Sequence, residues 1–262
     1  MRLLFLGDVV GRPGRRALRT LLPKLIAREK VEFVVANGEN ASGGKGIDPE
    51  GAEELLDAGV DVLTSGNHIW QHMAIVDYMR DNQRLLRPLN LPRGVPGVGM
   101  VVRPARGSGQ PVGVLNLIGR VFMGPADCPF QGAEAAIEEL RRQTPVIVVD
   151  MHCEATSEKC AMGRFLDGRA SAVIGSHTHV QTADDAILPG GTAYLTDAGM
   201  CGPEASVLGV KTDQVLRRFL TQMPTRFEVA TGSVLVQGAL IDVDETTGRA
   251  TAIQRVREHV AP

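Results

Sequence analysis

The stretch "RLLFLGDVVGRPGRRALRTLL" (2–22) places a charged residue at the junction of two patterns. Its first five residues are mostly apolar, which is typical of a buried strand, whereas "GRRALRTLLPKLIAR" (14–28) has the apolar spacing of a helix. Asp8 lies between them and is followed by Gly11 and Gly14. An aspartate there could cap the helix, face a phosphate or hold a metal ion, and by itself it does not choose among these roles.

The same alternation of short apolar runs and helical runs continues along the chain. Further predicted strands are 31–36, 61–65, 111–119, 145–151 and 171–176, and predicted helices are 49–59, 69–81, 132–143 and 210–223. This order predicts an α/β protein with βαβ units and a mostly parallel sheet covered on both faces. The last part differs, because 192–197 and 232–257 indicate strands joined by turns, with "ETTGR" (245–249) as a hairpin turn.

The chain has 262 residues and no long linker, repeat or low-complexity tract, so we predict a single domain over 1–262. A small cap or lid could lie within 87–132, formed either by the Pro- and Gly-rich segment 87–109 or by the irregular loop 119–132. The sequence does not choose between these two segments.

The bulk composition argues against several classes of protein. The net charge of −2, with only one Trp, two Tyr and seven Phe, disfavours nucleic acid as a stable partner. The first apolar run ends at Leu6, too short for a signal peptide, and no segment approaches the roughly 20 apolar residues of a membrane span. Four cysteines do not make a disulfide framework, so we expect reduced thiols in a cytoplasmic protein.

Polar residues recur just beyond the predicted strands. They are Asp8, Glu39, Asn40, Asn67, His68, His152, His177 and His179. In a parallel sheet the carboxyl ends lie at one edge, where ligands bind, so five strands would bring these side chains together. Imidazoles with carboxylate and amide oxygens suit iron, manganese, zinc or cobalt, and seven or eight donors are too many for one tetrahedral zinc. The pattern favours two ions, roughly 3.5–4 Å apart.

Each of these residues also has an ordinary structural interpretation. Asp8 and Asn67 could cap helices, Glu39 and Asn40 could belong to a glycine-rich turn, and His152 could be a half-buried histidine with satisfied hydrogen bonds. These interpretations do not explain why the polar residues follow strand after strand. Three other features we assign to structure: His72 and His259 to the surface, and "GRPG" (11–14) to close packing of strand and helix.

The order of these motifs resembles the calcineurin-like metallophosphoesterase superfamily, from Asp8 to His179. The chain departs from the usual superfamily pattern at Val10, where a histidine is usual, and at Glu39-Asn40, Ile69 and Ser176. These departures resemble the YmdB-like branch of the superfamily, as do the motifs "GDVVGRPGR" (7–15), "NGENASGGKGI" (37–47) and "EATSEK" (154–159). That branch consists of bacterial phosphoesterases whose relatives hydrolyse cyclic nucleotides, notably 2′,3′-cyclic AMP.

The resemblance implies a four-layer α/β/β/α sandwich with two metal ions at one edge of the sheets. It implies that Glu39 bridges the ions. The remaining ligands would be Asp8, Asn40 and His179 for one ion, and Asn67, His152 and His177 for the other. The ions would be divalent or trivalent, with iron or manganese favoured and magnesium, zinc or cobalt also suitable.

The expected reaction is hydrolysis of a small phosphodiester, such as a 2′,3′-cyclic nucleotide, by a hydroxide that bridges the metals. His68, beside a ligand, would be the general acid, and Lys45 could contact the phosphate. Two alternatives stay open: a phosphomonoesterase or phosphoprotein phosphatase with the same site, and a regulatory module that binds a nucleotide without turnover. A homo-oligomer is compatible with the sequence, although no motif indicates one.

Overall fold

The computed structural model describes residues 1–262, which form thirteen strands and six helices. The strands are β1 Arg2–Leu6, β2 Asp8–Val9, β3 Phe33–Asn37, β4 Val62–Thr64, β5 Met100–Pro104, β6 Pro111–Ile118, β7 Ile147–His152, β8 Ala172–Ser176, β9 Ala186–Ile187, β10 Ala193–Leu195, β11 Met200–Pro203, β12 Val234–Val243 and β13 Ala250–Val260. The helices are α1 Gly11–Glu29, α2 Pro49–Asp57, α3 Ala74–Asp81, α4 Pro129–Arg141, α5 Thr156–Phe165 and α6 Thr212–Thr221.

The strands form two sheets, not the single sheet expected from the alternation of strands and helices. The first has the order β2-β11-β12-β1-β3-β4, with β13 paired to β12. It is mixed, because β1 runs parallel to β3 and antiparallel to β12. The second has the order β5-β6-β7-β8-β10-β9, and its four central strands are parallel.

Three apolar cores show how the layers stack. Side chains of both sheets, such as Phe5 and Phe33 from the first and Val148 and Ile174 from the second, share one core. A second core lies between the first sheet and α1, α2 and α3, and a third between the second sheet and α4 and α5. The expected four-layer α/β/β/α sandwich is therefore confirmed. Periodicity could not separate one sheet from two, because strands buried on both faces are apolar throughout in either arrangement.

Helix α1 packs closely on the first sheet, as expected for "GRPG". A Cβ atom on Gly14 would lie 2.2 Å from the carbonyl oxygen of Cys201 in β11, so only glycine allows this approach. Farther along the helix, Leu18, Leu22 and Leu25 are buried at the spacing of one helix face.

The structure corrects some element boundaries. Helix α3 begins at Ala74, not at Ile69, because 67–73 form turns that carry Asn67 and His68. Helix α5 and the two-residue strands β2 and β9 were not predicted, since they are too short or too polar to show a period. The hairpin turn between β12 and β13 is confirmed: Asp244 accepts hydrogen bonds from the backbone N–H groups of Thr246 and Thr247.

The segment 87–132 is only partly free to act as a cap. It contains β5 and β6, which belong to the second sheet, and the start of α4. The irregular stretches 87–99 and 119–128 remain the parts that could form one, and a cap stays a prediction. No helix has the combination of length and apolar character that a membrane span requires.

We predict that Gly238→Ala destabilises the protein. Gly238 lies in the middle of β12, where a Cβ atom would come within 2.1 Å of the carbonyl oxygen of Phe5. We expect a loss of about 1–3 kcal/mol in the free energy of unfolding, measured with urea. Gly132→Ala in α4 is the control, because its Cβ atom would meet only the Asn90 side chain, at 3.7 Å. Equal stability of the two variants would contradict the close approach of the strands.

Candidate metal centre

The residues predicted from the sequence meet at one rim, although they come from both sheets. Asp8 begins β2, Glu39 and Asn40 follow β3, and Asn67 and His68 follow β4 in the first sheet. His152 is the last residue of β7, and His177 and His179 follow β8, in the second sheet. β3 and β4 run parallel to β1, and β7 runs parallel to β8, so their carboxyl ends reach the rim together.

Asp8, Asn40 and His179 form one cluster of donor atoms. The Nε2 atom of His179 lies 3.3 Å from Oδ1 of Asn40 and 3.7 Å from Oδ1 of Asp8. The other oxygen of Asp8 accepts a hydrogen bond from the backbone N–H of His177, at 3.0 Å. The other ring nitrogen of His179 lies 3.1 Å from the carbonyl oxygen of Leu208, which orients the ring when that nitrogen carries the hydrogen.

Glu39, Asn67, His152 and His177 form a second cluster. The Nε2 atom of His152 is its centre: it lies 3.0 Å from Oε1 of Glu39, 3.2 Å from Oδ1 of Asn67 and 3.0 Å from Nδ1 of His177. Ligand atoms of Glu39, His152 and His177 all fall within 4.8 Å of one another. Glu39 and His152 are fully enclosed, whereas Asn67 is exposed, so this cluster is open on one side.

Buried polar side chains behind the rim orient His152. Asp150 accepts a hydrogen bond from the hydroxyl of Ser176, at 2.6 Å, and another from the amide of Asn37, at 3.0 Å. Because Ser176 has only one hydrogen and donates it to Asp150, its oxygen accepts the Nδ1–H of His152, at 2.8 Å. In the neutral ring, Nε2 then carries a lone pair that faces the oxygens of Glu39 and Asn67, as in a metal ligand held by a carboxylate-linked network.

The electrostatics of the second cluster favour a positive charge beside Glu39. Burial opposes ionisation of both Glu39 and His152, but the neighbouring charges together outweigh it. His152, with His68, lowers the pKa of Glu39 to about 2, and Glu39, with Asp8 and Asp150, raises the pKa of His152 to about 9. Burial, with the neighbouring His152, lowers the pKa of His177 to about 3. In the first cluster, burial raises the pKa of Asp8 to about 6, although His179 opposes this.

Both clusters fit metal ions. Oδ1 of Asp8 is buried and has no hydrogen-bond partner, which is costly unless a cation binds there. Space beside the second cluster depends on Gly66, where a Cβ atom would come within 2.1 Å of the His152 ring and 2.4 Å of Glu39. Imidazole nitrogens and carboxylate oxygens, such as Nε2 of His152 and Oε1 of Glu39 at 3.0 Å, are donors that transition metals prefer.

Four further residues considered in the sequence analysis are His68, Lys45, His72 and His259, and only His68 directly contacts a proposed ligand. The backbone N–H of His68 donates to Oε2 of Glu39, at 3.1 Å, and burial lowers the pKa of the His68 ring. Lys45 is exposed on the adjoining loop. His259 is on the surface, as expected, but His72 is half-buried, with Nε2 3.0 Å from the carbonyl oxygen of Lys45. His72 therefore braces the 42–45 loop, which the sequence did not reveal.

The sequence also did not identify Glu154, whose carboxylate lies 3.2 Å from Nε2 of His177. Nor did it identify Asn37, Asp150 and Ser176: Asp150 lies inside β7, and Asn37 and Ser176 are the last residues of β3 and β8. Glu154 begins "EATSEK", a motif that had no role in the predicted ligand set.

A two-sheet sandwich with these donors at its rim is a metallophosphoesterase-type fold. The protein is an enzyme of the metal-dependent phosphoesterase class. The chain belongs to the YmdB-like protein family, whose sequence model matches residues 4–256.

Two relatives are similar over nearly the whole chain. A 2′,3′-cyclic-nucleotide 2′-phosphodiesterase from Bacillus subtilis is 47% identical over 98% of this chain and 96% of its own length. A putative phosphatase/phosphodiesterase from Mycoplasma pneumoniae is 34% identical, over 98% of this chain and 92% of its own.

Solved structures agree on the fold. A hypothetical protein from Thermus thermophilus has a TM-score of 0.92 and 40% identity, with 100% of both chains covered. A phosphatase from Mycoplasma pneumoniae also has a TM-score of 0.92, with 33% identity, 99% of this chain and 93% of its own covered. A 5′-nucleotidase from Candida albicans shares the fold at a TM-score of 0.55 and 13% identity, over 99% of this chain and 51% of its own.

Proposed function

We propose that the protein is a phosphodiesterase that uses two metal ions to hydrolyse small phosphodiesters, with 2′,3′-cyclic nucleotides as the substrate class. The observation that carries this proposal is the pair of donor clusters at the rim, joined by the backbone hydrogen bond from His177 to Asp8. The 47% identity to a 2′,3′-cyclic-nucleotide 2′-phosphodiesterase supports the substrate class.

The clusters support a division of the ligands between two ions. Asp8, Asn40 and His179 would hold one ion, and Asn67, His152 and His177 the other, with Glu39 as the bridge. The first set has two oxygen donors and one nitrogen donor, which favours iron, manganese or magnesium there. Across both sites we favour iron or manganese, and zinc or cobalt would also suit these ligands.

The two ions would supply Lewis-acid chemistry, making water nucleophilic near neutral pH and neutralising the phosphate oxygens. The residues of the chain would place them: Asp150, through Ser176, fixes the ring of His152, and Leu208 fixes that of His179. His68 is half-buried at the site edge, with its backbone anchored on Glu39. Its ring would protonate the departing ribose oxygen, the role of a general acid.

Two other functions remain as alternatives. A phosphomonoesterase or phosphoprotein phosphatase would use the same clusters, and the relative from Mycoplasma pneumoniae is named as a putative phosphatase/phosphodiesterase. A nucleotide-binding regulatory module would hold the metals without turnover. The exposed side of Asn67 argues against it, because structural metal sites are usually closed by protein ligands.

A homo-oligomer and a cytoplasmic location stay predictions. Helix α6 is the surface that would favour self-association, because Val215 is its only buried residue and Leu216, Phe219 and Leu220 are exposed. Continuous apolar patches above a few hundred Å² are unusual on monomers.

We predict turnover of a phosphodiester by the metal-loaded protein. Purified protein would be tested by elemental analysis and by activity on 2′,3′-cyclic AMP, 3′,5′-cyclic AMP and bis-p-nitrophenyl phosphate, with p-nitrophenyl phosphate as the monoester control. We expect two metal ions per chain and the fastest hydrolysis with 2′,3′-cyclic AMP. Preference for the monoester would favour the phosphatase, and tight nucleotide binding without hydrolysis would favour the regulatory module.

For the bridging role of Glu39 we predict that Glu39→Ala loses both ions or their coupling. Removing a buried ligand leaves His152 without its anionic partner, and hydrolysis should fall by at least ~10²-fold. Metal content by elemental analysis and spin coupling of a Mn²⁺ pair by EPR would measure the effect. Glu39→Gln keeps the size and removes the charge, so it should show a similar loss. A Glu39→Ala protein with two coupled ions would refute the bridge.

For His68 we predict normal metal content and slow hydrolysis in the alanine variant. Loss of a general acid lowers the rate by about 10²–10⁴-fold. Because burial lowers the pKa of His68, its protonated form is lost as pH rises through a value below the ordinary 6.5. The wild-type rate should therefore fall with rising pH there, and His68→Ala should lack that limb. His259→Ala, on the surface, is the control; metal loss in His68→Ala would refute the role.

A further inference from the structure

The loop that carries His177 and His179 has an unfavourable backbone conformation. His177 has φ = 100° and His179 has φ = 64°, both in the left-handed region that side chains with a Cβ atom avoid. The two residues flank Thr178 and direct their rings into different clusters, the second and the first respectively. Such a conformation persists only where surrounding contacts impose it, so the contacts of Thr178 decide how the loop is held.

Asp197 holds Thr178 at two points. Its Oδ2 atom accepts hydrogen bonds from the backbone N–H of Thr178, at 3.1 Å, and from the Thr178 hydroxyl, at 2.8 Å. Its Oδ1 atom accepts the backbone N–H of Gly199, at 2.8 Å. Asp197 follows β10, which pairs with β8, so the carboxylate is fixed to the strand beside the one that leads into the loop.

A buried lysine balances this carboxylate. Nζ of Lys159 lies 2.6 Å from Oδ2 of Asp197, and both side chains are 1% exposed. A buried charge is costly unless it is paired, so the Asp197 carboxylate depends on Lys159. Gly175 makes room for the lysine stem, because a Cβ atom there would lie 2.8 Å from Cδ of Lys159 and 1.8 Å from the carbonyl oxygen of Thr196.

Lys159 is the last residue of "EATSEK", which also supplies Glu154 beside His177. Another member, Glu158, accepts hydrogen bonds from the backbone N–H groups of Arg120 and Val121, so it anchors the start of the 119–128 loop. The "EATSEK" segment therefore contacts His177 through Glu154, the 119–128 loop through Glu158 and Asp197 through Lys159.

We propose that Lys159, Asp197 and Thr178 form a positioning clamp that directs His177 and His179 toward two different metal ions. None of the three residues is a ligand in the proposed scheme. The clamp acts through the loop, because the paired contacts of Asp197 with Thr178 fix the residue between the two rings. This inference rests on the proposed function, in which both histidines bind metal.

The test compares Thr178→Val with Thr178→Ser. Valine keeps the shape of threonine but lacks the hydroxyl that donates a hydrogen bond to Asp197, whereas serine keeps that hydroxyl. Thr182→Val is the control, because the Thr182 hydroxyl contacts the backbone of Asp197, accepting its N–H at 2.9 Å, and does not contact its carboxylate. Mn²⁺ binding to the metal-stripped full-length proteins would be measured by EPR of the free ion, with thermal unfolding of the same samples.

We expect Thr178→Val to bind Mn²⁺ at least ~10-fold more weakly than wild type, the usual scale for residues that orient ligands. Thr178→Ser and Thr182→Val should stay close to wild type, and serine rescue would separate positioning from a general loss of stability. Unchanged Mn²⁺ binding in Thr178→Val, with wild type binding two ions, would overturn the clamp alone. A wild-type protein that binds no Mn²⁺ would overturn the proposed function and the clamp with it.

Discussion

The contact between Glu39 and His152 is the interaction on which the rest of the rim depends. Both side chains are enclosed, and they come from different sheets: Glu39 follows β3, and His152 is the last residue of β7. A carboxylate in that position needs a positive partner, which is a proton on His152 in the absence of metal and a cation when metal binds. The site is therefore arranged around a positive charge. The hydrogen bonds of Asp150 and Ser176 orient His152 so that the lone pair of Nε2 faces that position.

The fold can hold this polar arrangement because the apolar cores are elsewhere. The core shared by the two sheets and the cores beneath the helices contain the large side chains, so the rim is left to short loops and polar groups. Small residues then set the approach distances: Gly66 leaves space beside His152, and Gly175 leaves space for Lys159. The geometry of the site thus depends on the absence of a Cβ atom at these two glycines as much as on the proposed ligands.

Much of the candidate site could be predicted from the sequence, because the proposed ligand residues recur at the ends of apolar strands. Asp8, Glu39 and His152 stand where a buried strand ends, and a charged or ligating residue is conspicuous there. The sandwich followed from the resemblance, whereas periodicity alone predicted a single sheet, since it reports burial and not which sheet a strand joins. Helix α5 was not predicted, because its buried face includes the charged residues Glu158 and Lys159 and therefore lacks the regular apolar spacing of a helix.

The supporting residues could not be predicted for a related reason. Asp150 and Asp197 act through hydrogen bonds to groups distant in sequence, and the strand pattern around them does not distinguish a ligand-orienting carboxylate from an ordinary one. His72 was expected on the surface, but it contacts the carbonyl oxygen of Lys45, a backbone group with no sequence signature.

The most direct test of the two-metal account is anomalous X-ray scattering from crystals of the wild-type protein soaked in Mn²⁺. We predict two peaks roughly 3.5–4 Å apart, one beside Asp8, Asn40 and His179 and the other beside Asn67, His152 and His177, with Glu39 between them. A single peak, or peaks bound by other side chains, would contradict the account.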